Sequence, residues 1–119
     1  MSNNSSFPIK FTDEFKKRIS KLATKYRNIK KDIQPIIEQL ENGNILGNRL
    51  AGFDEEIHIY KLRVKNSNIK KGKSGGYRLI YFLRLEDSVI LLTIYSKSEK
   101  EDITNNEINS ILNDFFDLL

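Results

Sequence analysis

Two stretches constrain this chain more than any others. Tyr77 to Leu85 and Val89 to Tyr95 carry aromatic and branched residues on both faces of an extended backbone. A strand with one wet face alternates apolar and polar residues, whereas one that is apolar on both faces has to be covered on both sides. The two runs, separated by Glu86-Asp87-Ser88, therefore predict neighbouring central strands with further layers above and below. A strand from Ile57 alternates instead. It places His58, Tyr60, Leu62 and Val64 on one face and Ile57, Ile59, Lys61 and Arg63 on the other.

The covering layers are helical. Phe11, Phe15, Ile19, Leu22 and Tyr26 recur at spacings of three and four, which makes one apolar stripe. Thr12 is the expected N-cap, with Asp13 and Glu14 in the first turn. A second helix is expected after Asp32, with Asp32 as cap and Pro35 in the first turn, where a missing N–H costs little. Its stripe is Ile33, Ile36, Ile37 and Leu40, and Gly43 stops it. Thr104-Asn105-Asn106-Glu107 reads as a capping box, with Ile103 stapled to Ile108. The last helix then presents Ile108, Ile111, Leu112, Phe115 and Phe116.

Residues 1–6 read as a disordered tail and Phe7 to Phe11 as a short strand, with Pro8 marking an edge. Residues 44–56 and 65–76 read as loops. The expectation is a single α+β domain over 7–119, in which an N-terminal helical hairpin packs on a small antiparallel sheet, followed by a C-terminal helix.

The absence of cysteine excludes a disulfide framework, a thiolate zinc site and a cysteine nucleophile. The single histidine, His58, shares its face with Tyr60 and Leu62 and reads as structural. No metal-ligand cluster, P-loop or dinucleotide fingerprint is present, so no cofactor is expected. The apolar run Val89-Ile90-Leu91-Leu92 is far shorter than a membrane span, and the polar start is unlike a signal peptide, so the expected compartment is the cytoplasm.

Charge is more informative than its sum of +4. Residues 61–78 carry Lys61, Arg63, Lys65, Lys70, Lys71, Lys73 and Arg78 and no acid. Folding alone does not favour such mutual repulsion, and a polyanion, most simply RNA or DNA, would explain it. A solvated, lysine-rich loop is the other reading that composition leaves open. If the three strands are neighbours, Lys61, Arg63 and Arg78 converge on one surface with Tyr95 and Lys97, which close the last strand. Such a surface can cleave RNA without a metal. The 2′-hydroxyl attacks its own 3′-phosphate, which calls for a proton acceptor, donors for the phosphorane and a proton donor for the departing 5′-oxygen. Arginine supplies permanent donors, and clustered cations can poise one lysine as the acceptor.

The stretch from Tyr60 to Asp102 resembles the RelE/ParE toxin superfamily. The resemblance is carried by Lys61-Leu62-Arg63-Val64, by Gly72-Lys73-Ser74-Gly75-Gly76-Tyr77-Arg78-Leu79-Ile80-Tyr81 and by Leu91-Leu92-Thr93-Ile94-Tyr95-Ser96-Lys97-Ser98-Glu99. The glycine-rich loop and last strand are most similar to the HigB-type branch. The resemblance implies a bacterial type II toxin that cleaves mRNA in the ribosomal A site without a metal, held inactive by a cognate antitoxin. It assigns Arg63, Lys73, Arg78 and Lys97 to catalysis and Lys61 and Tyr95 to RNA binding, to which the acid-free basic segment adds Lys65, Lys70 and Lys71. Ser98 and Thr104 stand where RelE has an arginine and a catalytic tyrosine, which favours a lysine-rich, HigB-like arrangement. A ParE-type gyrase poison and a non-catalytic antitoxin-binding module are the alternatives.

Overall fold

The computed structural model describes residues 7–69, 75–84 and 88–117. Its elements run β1 (Ile9–Phe11), α1 (Asp13–Lys25), α2 (Ile29–Glu41), β2 (Asn48–Arg49), β3 (His58–Val64), β4 (Tyr77–Arg84), β5 (Ser88–Ser96) and α3 (Asn105–Asp117). The strands form one sheet in the order β1-β5-β4-β3-β2. The three long strands pair antiparallel, as their succession in the chain dictates. β1 instead joins β5 in parallel, because the whole helical hairpin and three strands intervene before the chain returns beside it.

The two-sided strands are covered as the sequence demands. On one face Tyr77, Leu79, Tyr81, Leu83, Leu91 and Ile94 pack with Phe15, Leu22, Tyr26, Ile29, Ile33 and Leu40 of the hairpin. On the other, Ile59, Ile80, Phe82, Ile90, Leu92 and Tyr95 pack with Ile108 and Leu112 of α3. A register shift between Ile80 and Tyr81 leaves Leu92 unopposed on β5, since Ile80 faces Thr93 and Tyr81 faces Leu91. Such a bulge re-aims the residues beyond it, so Ile90, Leu92 and Tyr95 all reach the α3 side.

Both outer helix caps are as expected. The Thr12 hydroxyl accepts from Phe15 N–H at 2.9 Å. Thr104 and Glu107 close a reciprocal capping box, at 3.1 Å from Glu107 N–H to the Thr104 hydroxyl and 2.9 Å back from Thr104 N–H to the carboxylate.

The second helix corrects the sequence reading. It begins at Ile29, not after Asp32, because Ile29 is fully buried and extends the apolar stripe by a turn. Asp32 is therefore inside the helix, and its carboxylate accepts from Ser67 N–H at 2.8 Å instead of capping. Pro35 lies in the helix interior on an exposed face, where its missing N–H leaves the Lys31 carbonyl without its helical donor. The expected loop 44–56 also holds the two-residue strand β2. The tail 1–6, most of the glycine-rich loop and the turn residues Glu86 and Asp87 lie outside the described residues.

Candidate functional site

The α3-side face of the sheet changes character along the strands. Ile59, Phe82 and Ile90 form one cross-strand row, and α3 covers that region. The next rows are Lys61–Ile80–Thr93 and then Arg63–Arg78–Tyr95. With strands about 4.8 Å apart, this last row spans roughly 10 Å. Arg63 directly opposite Arg78 is a like-charge pair, which destabilises a sheet.

Gly76 fixes the entry to β4. A Cβ there would lie 2.3 Å from the Val64 carbonyl oxygen, so only glycine lets the backbones approach this closely. Lys97 N–H donates to the Gly76 carbonyl at 3.0 Å, which seats Lys97 beside the same corner. The small residue at this position of the motif thus has a packing reason, and it delivers Arg78 into the row.

Arg78 is buried, at 6% exposure. Its guanidinium donates to the Tyr77 carbonyl at 3.2 Å, and among the described residues no carboxylate pairs with it. A buried, unpaired cation is costly to fold. Arg63 is exposed and has no ion pair among the described residues.

Asp102, which sequence reasoning missed, organises the other half of the site. One of its oxygens accepts from Lys61 Nζ at 3.1 Å, the Tyr95 hydroxyl at 3.3 Å and Ile103 N–H at 2.8 Å. The Ile103 N–H and then the Lys61 ammonium hold the Asp102 carboxyl below the usual carboxylate range. Burial, with help from the Asp102 charge, pushes the Tyr95 phenol up to about 12, so Tyr95 stays a hydroxyl donor at neutral pH. Lys97 Nζ donates to the Glu101 carbonyl at 2.5 Å. Nothing local in the sequence marks Asp102, since its partner Lys61 lies 41 residues away.

Of the residues singled out from sequence, Lys61, Arg63, Arg78 and Tyr95 share one face, and Lys97 flanks it one residue past β5. Lys65 is exposed just beyond the end of β3. Lys70, Lys71 and Lys73 lie outside the described residues. His58 is on β3 opposite Leu83, on the hairpin side and away from the row. Among the described residues no group of three His, Asp or Glu side chains is placed to hold a metal ion, and no helix is long and apolar enough to cross a membrane.

A helical hairpin and a lone C-terminal helix on opposite faces of such a sheet, with cations at one strand end, define a recognisable class of small α+β protein. The fold is similar to that of E. coli toxin RelE, seen in the free state with two arginines replaced by alanine. That match has a TM-score of 0.53 and 22% identity, and covers 92% of this chain and 96% of that one. No curated protein sequence matches the chain. The family model described as the RelE toxin of the RelE/RelB toxin–antitoxin system matches residues 12–113. The chain belongs to the RelE toxin family.

Proposed function

We propose that this toxin is a ribosome-dependent endoribonuclease that cleaves mRNA in the A site, stops translation in the cytoplasm and is held inactive by a cognate antitoxin. The observation that carries this reading is Arg78. A buried guanidinium with no acid beside it among the described residues, directly opposite a second arginine, is a site short of an anion. The phosphate of an RNA strand supplies one, and its charge grows as the 2′-oxygen attacks and the phosphorane forms.

The roles follow from placement. Arg78 and Arg63 bind the phosphate and stabilise the added charge. Lys61, Lys97 and the protonated Tyr95 surround them as further donors, with Asp102 orienting Lys61 and Tyr95. One lysine of the cluster, in its neutral form, takes the proton from the 2′-oxygen as that oxygen bonds to phosphorus. The bond to the 5′-oxygen breaks, and that oxygen takes up a proton, leaving a 2′,3′-cyclic phosphate. Lys73 belongs to the same set by its place in the glycine-rich motif, Lys65 adds an exposed cation just past β3, and Lys70 and Lys71 are assigned to RNA binding from the acid-free run 61–78 in which they fall. The motif 72–78 and the last-strand motif 91–99 favour a HigB-like arrangement within the family.

A site of many cations needs its substrate aligned, and alignment is worth several kcal/mol of barrier. The ribosome would supply it by bending the mRNA. The test is purified protein with translating ribosomes and a defined mRNA. Cuts within codons that depend on ribosomes and survive EDTA at levels sparing ribosomal magnesium are expected. Efficient cutting of naked mRNA, or gyrase-dependent DNA breaks without RNA cleavage, would refute the reading.

A further inference from the structure

The cations that the candidate site leaves unused are concentrated on the helical hairpin. From Phe15 to Lys31 the chain has eight Lys/Arg and no acid, and all eight are exposed. Arg18 and Lys25 pair with Glu14 and Glu99. Lys16, Lys17, Lys21, Arg27, Lys30 and Lys31 have no ion pair among the described residues.

These charges lie on the opposite side of the sheet from Arg78, yet they continue its surface. The turn between α1 and α2 is tied to the segment after β3. Asn28 N–H donates to Asn68 Oδ1 at 2.7 Å, and Asn28 Nδ2 donates to Ser67 Oγ at 3.0 Å. Arg27, Lys30 and Lys31 therefore stand at the same end of the molecule as Arg63 and Lys65. Beside the C-terminal part of β5, which β1 does not reach, a recess of about 500 Å³ joins Lys21 and Thr24 of α1 to Tyr95 and Ser96, with Lys25 paired to Glu99 across it.

The chemistry of the face selects its partner. A protein partner is normally anchored by apolar or aromatic side chains at the centre of the interface. The large apolar residues exposed among those described are Phe11 and Ile45, and neither is on α1 or α2. Lysines without apolar anchors suit a phosphate backbone, where point charges and released counterions carry the affinity. We propose that the outer face of the α1–α2 hairpin is a second, sequence-independent docking surface for the backbone of a folded RNA. It holds the protein against an RNA scaffold while the β3–β4–β5 end engages the strand to be cut. The inference rests on the RNA reading of the candidate site.

The test is the full-length triple variant K21Q/K30Q/K31Q, compared with wild type for binding to purified ribosomes and to an RNA hairpin over a salt series. Exposed Lys→Gln changes leave circular dichroism unchanged. The variant should bind both RNAs at least roughly tenfold more weakly, and the slope of log K against log salt should fall by roughly 2–3. A second variant, K16Q/K17Q, should show the same trend with a smaller slope change. Unchanged affinity, or weaker binding at an unchanged slope, overturns the proposal. So does weakened binding of purified antitoxin with RNA binding intact, which would make the face a protein-docking surface. If wild type neither binds ribosomes nor cuts mRNA, the reading of the candidate site falls as well. If wild type binds and cuts while the variant matches it, only the second surface is refuted.

Discussion

Arg78 and Asp102 oppose each other in what they cost and what they contribute. Burying Arg78 without a carboxylate partner among the described residues is a folding penalty, so replacing it with an apolar residue of similar length should relieve strain rather than cause it. Arg78→Met is expected to match or exceed wild type in stability, by about 1 kcal/mol or more in urea titration, while growth arrest disappears. A variant that unfolds, or one that stays toxic, contradicts the assignment. Asp102→Asn keeps an acceptor oxygen but removes the negative charge that Lys61 and Tyr95 share, and should lower cleavage by up to roughly 10²-fold with binding largely kept, as misplacement near a reacting centre does. The depressed Asp102 carboxyl contributes stability above its unfolded pKa of about 4 and loses it as pH falls through its lower folded value. With Asp102 largely exposed the gain is small. The stability gap between wild type and Asp102→Asn should therefore be present at neutral pH and close below pH of about 4. A gap that widens in acid would assign the carboxylate a different role. Tyr77 offers a control outside the site. Its hydroxyl is buried with no partner among the described residues, and burial raises its pKa, so Tyr77→Phe should stabilise the fold by about 1 kcal/mol without touching cleavage.

At the scale of elements, what the sequence disclosed was set by local or periodic signals, and what it hid was set by distant ones. Thr12, Thr104 and Glu107 announce helix starts because a cap is satisfied within three residues. The α2 start is hidden because Asp32 looks like a cap while its real partner, Ser67, is 35 residues away. β2 is two residues of exposed Asn48 and Arg49, with no apolar signal to mark it. The bulge opposite Tyr81 is invisible in β5, where every residue is apolar or small enough for either face, yet it decides that Tyr95 joins Arg78. The same logic makes α3 the element on which the site most depends, since the chain reaches it through Asp102. Ile108 is fully buried between α3 and the sheet. Ile108→Ala should cost about 2–5 kcal/mol in denaturant titration, and cleavage should fall with the folded fraction as α3 loosens.

Seen whole, the molecule is electrically lopsided in a way that predicts how it is inhibited. Lys25, Arg27, Lys30 and Lys31 at the hairpin turn, and Arg63, Lys65 and Arg78 at the strand ends, share one end, with the cationic motif 70–73 between β3 and β4. Glu38 and Glu41 close α2 away from that turn, and Asp54, Glu55 and Glu56 sit in the β2–β3 connection. Five of the six acids over 32–60 therefore lie away from the cations on either side of them in the sequence, while Asp32 stays at the cationic end, bound to Ser67. An antitoxin segment that silences the site by covering the Arg63–Arg78 face needs acids, gains from the desolvated Arg78 and orders on contact. Its affinity should fall steeply with salt, because the Debye length shrinks from about 10 Å at 0.1 M to about 3 Å at 1 M. Charge reversal of Lys70, Lys71 and Lys73 together should then weaken antitoxin binding and toxicity in parallel, measured by titration calorimetry and growth. The K21Q/K30Q/K31Q variant, altered on the other face, should keep wild-type antitoxin affinity while its ribosome binding drops. If reversing the loop lysines abolishes toxicity and leaves antitoxin affinity untouched, the antitoxin does not cover the strand-end face and must act by barring the toxin from the ribosome.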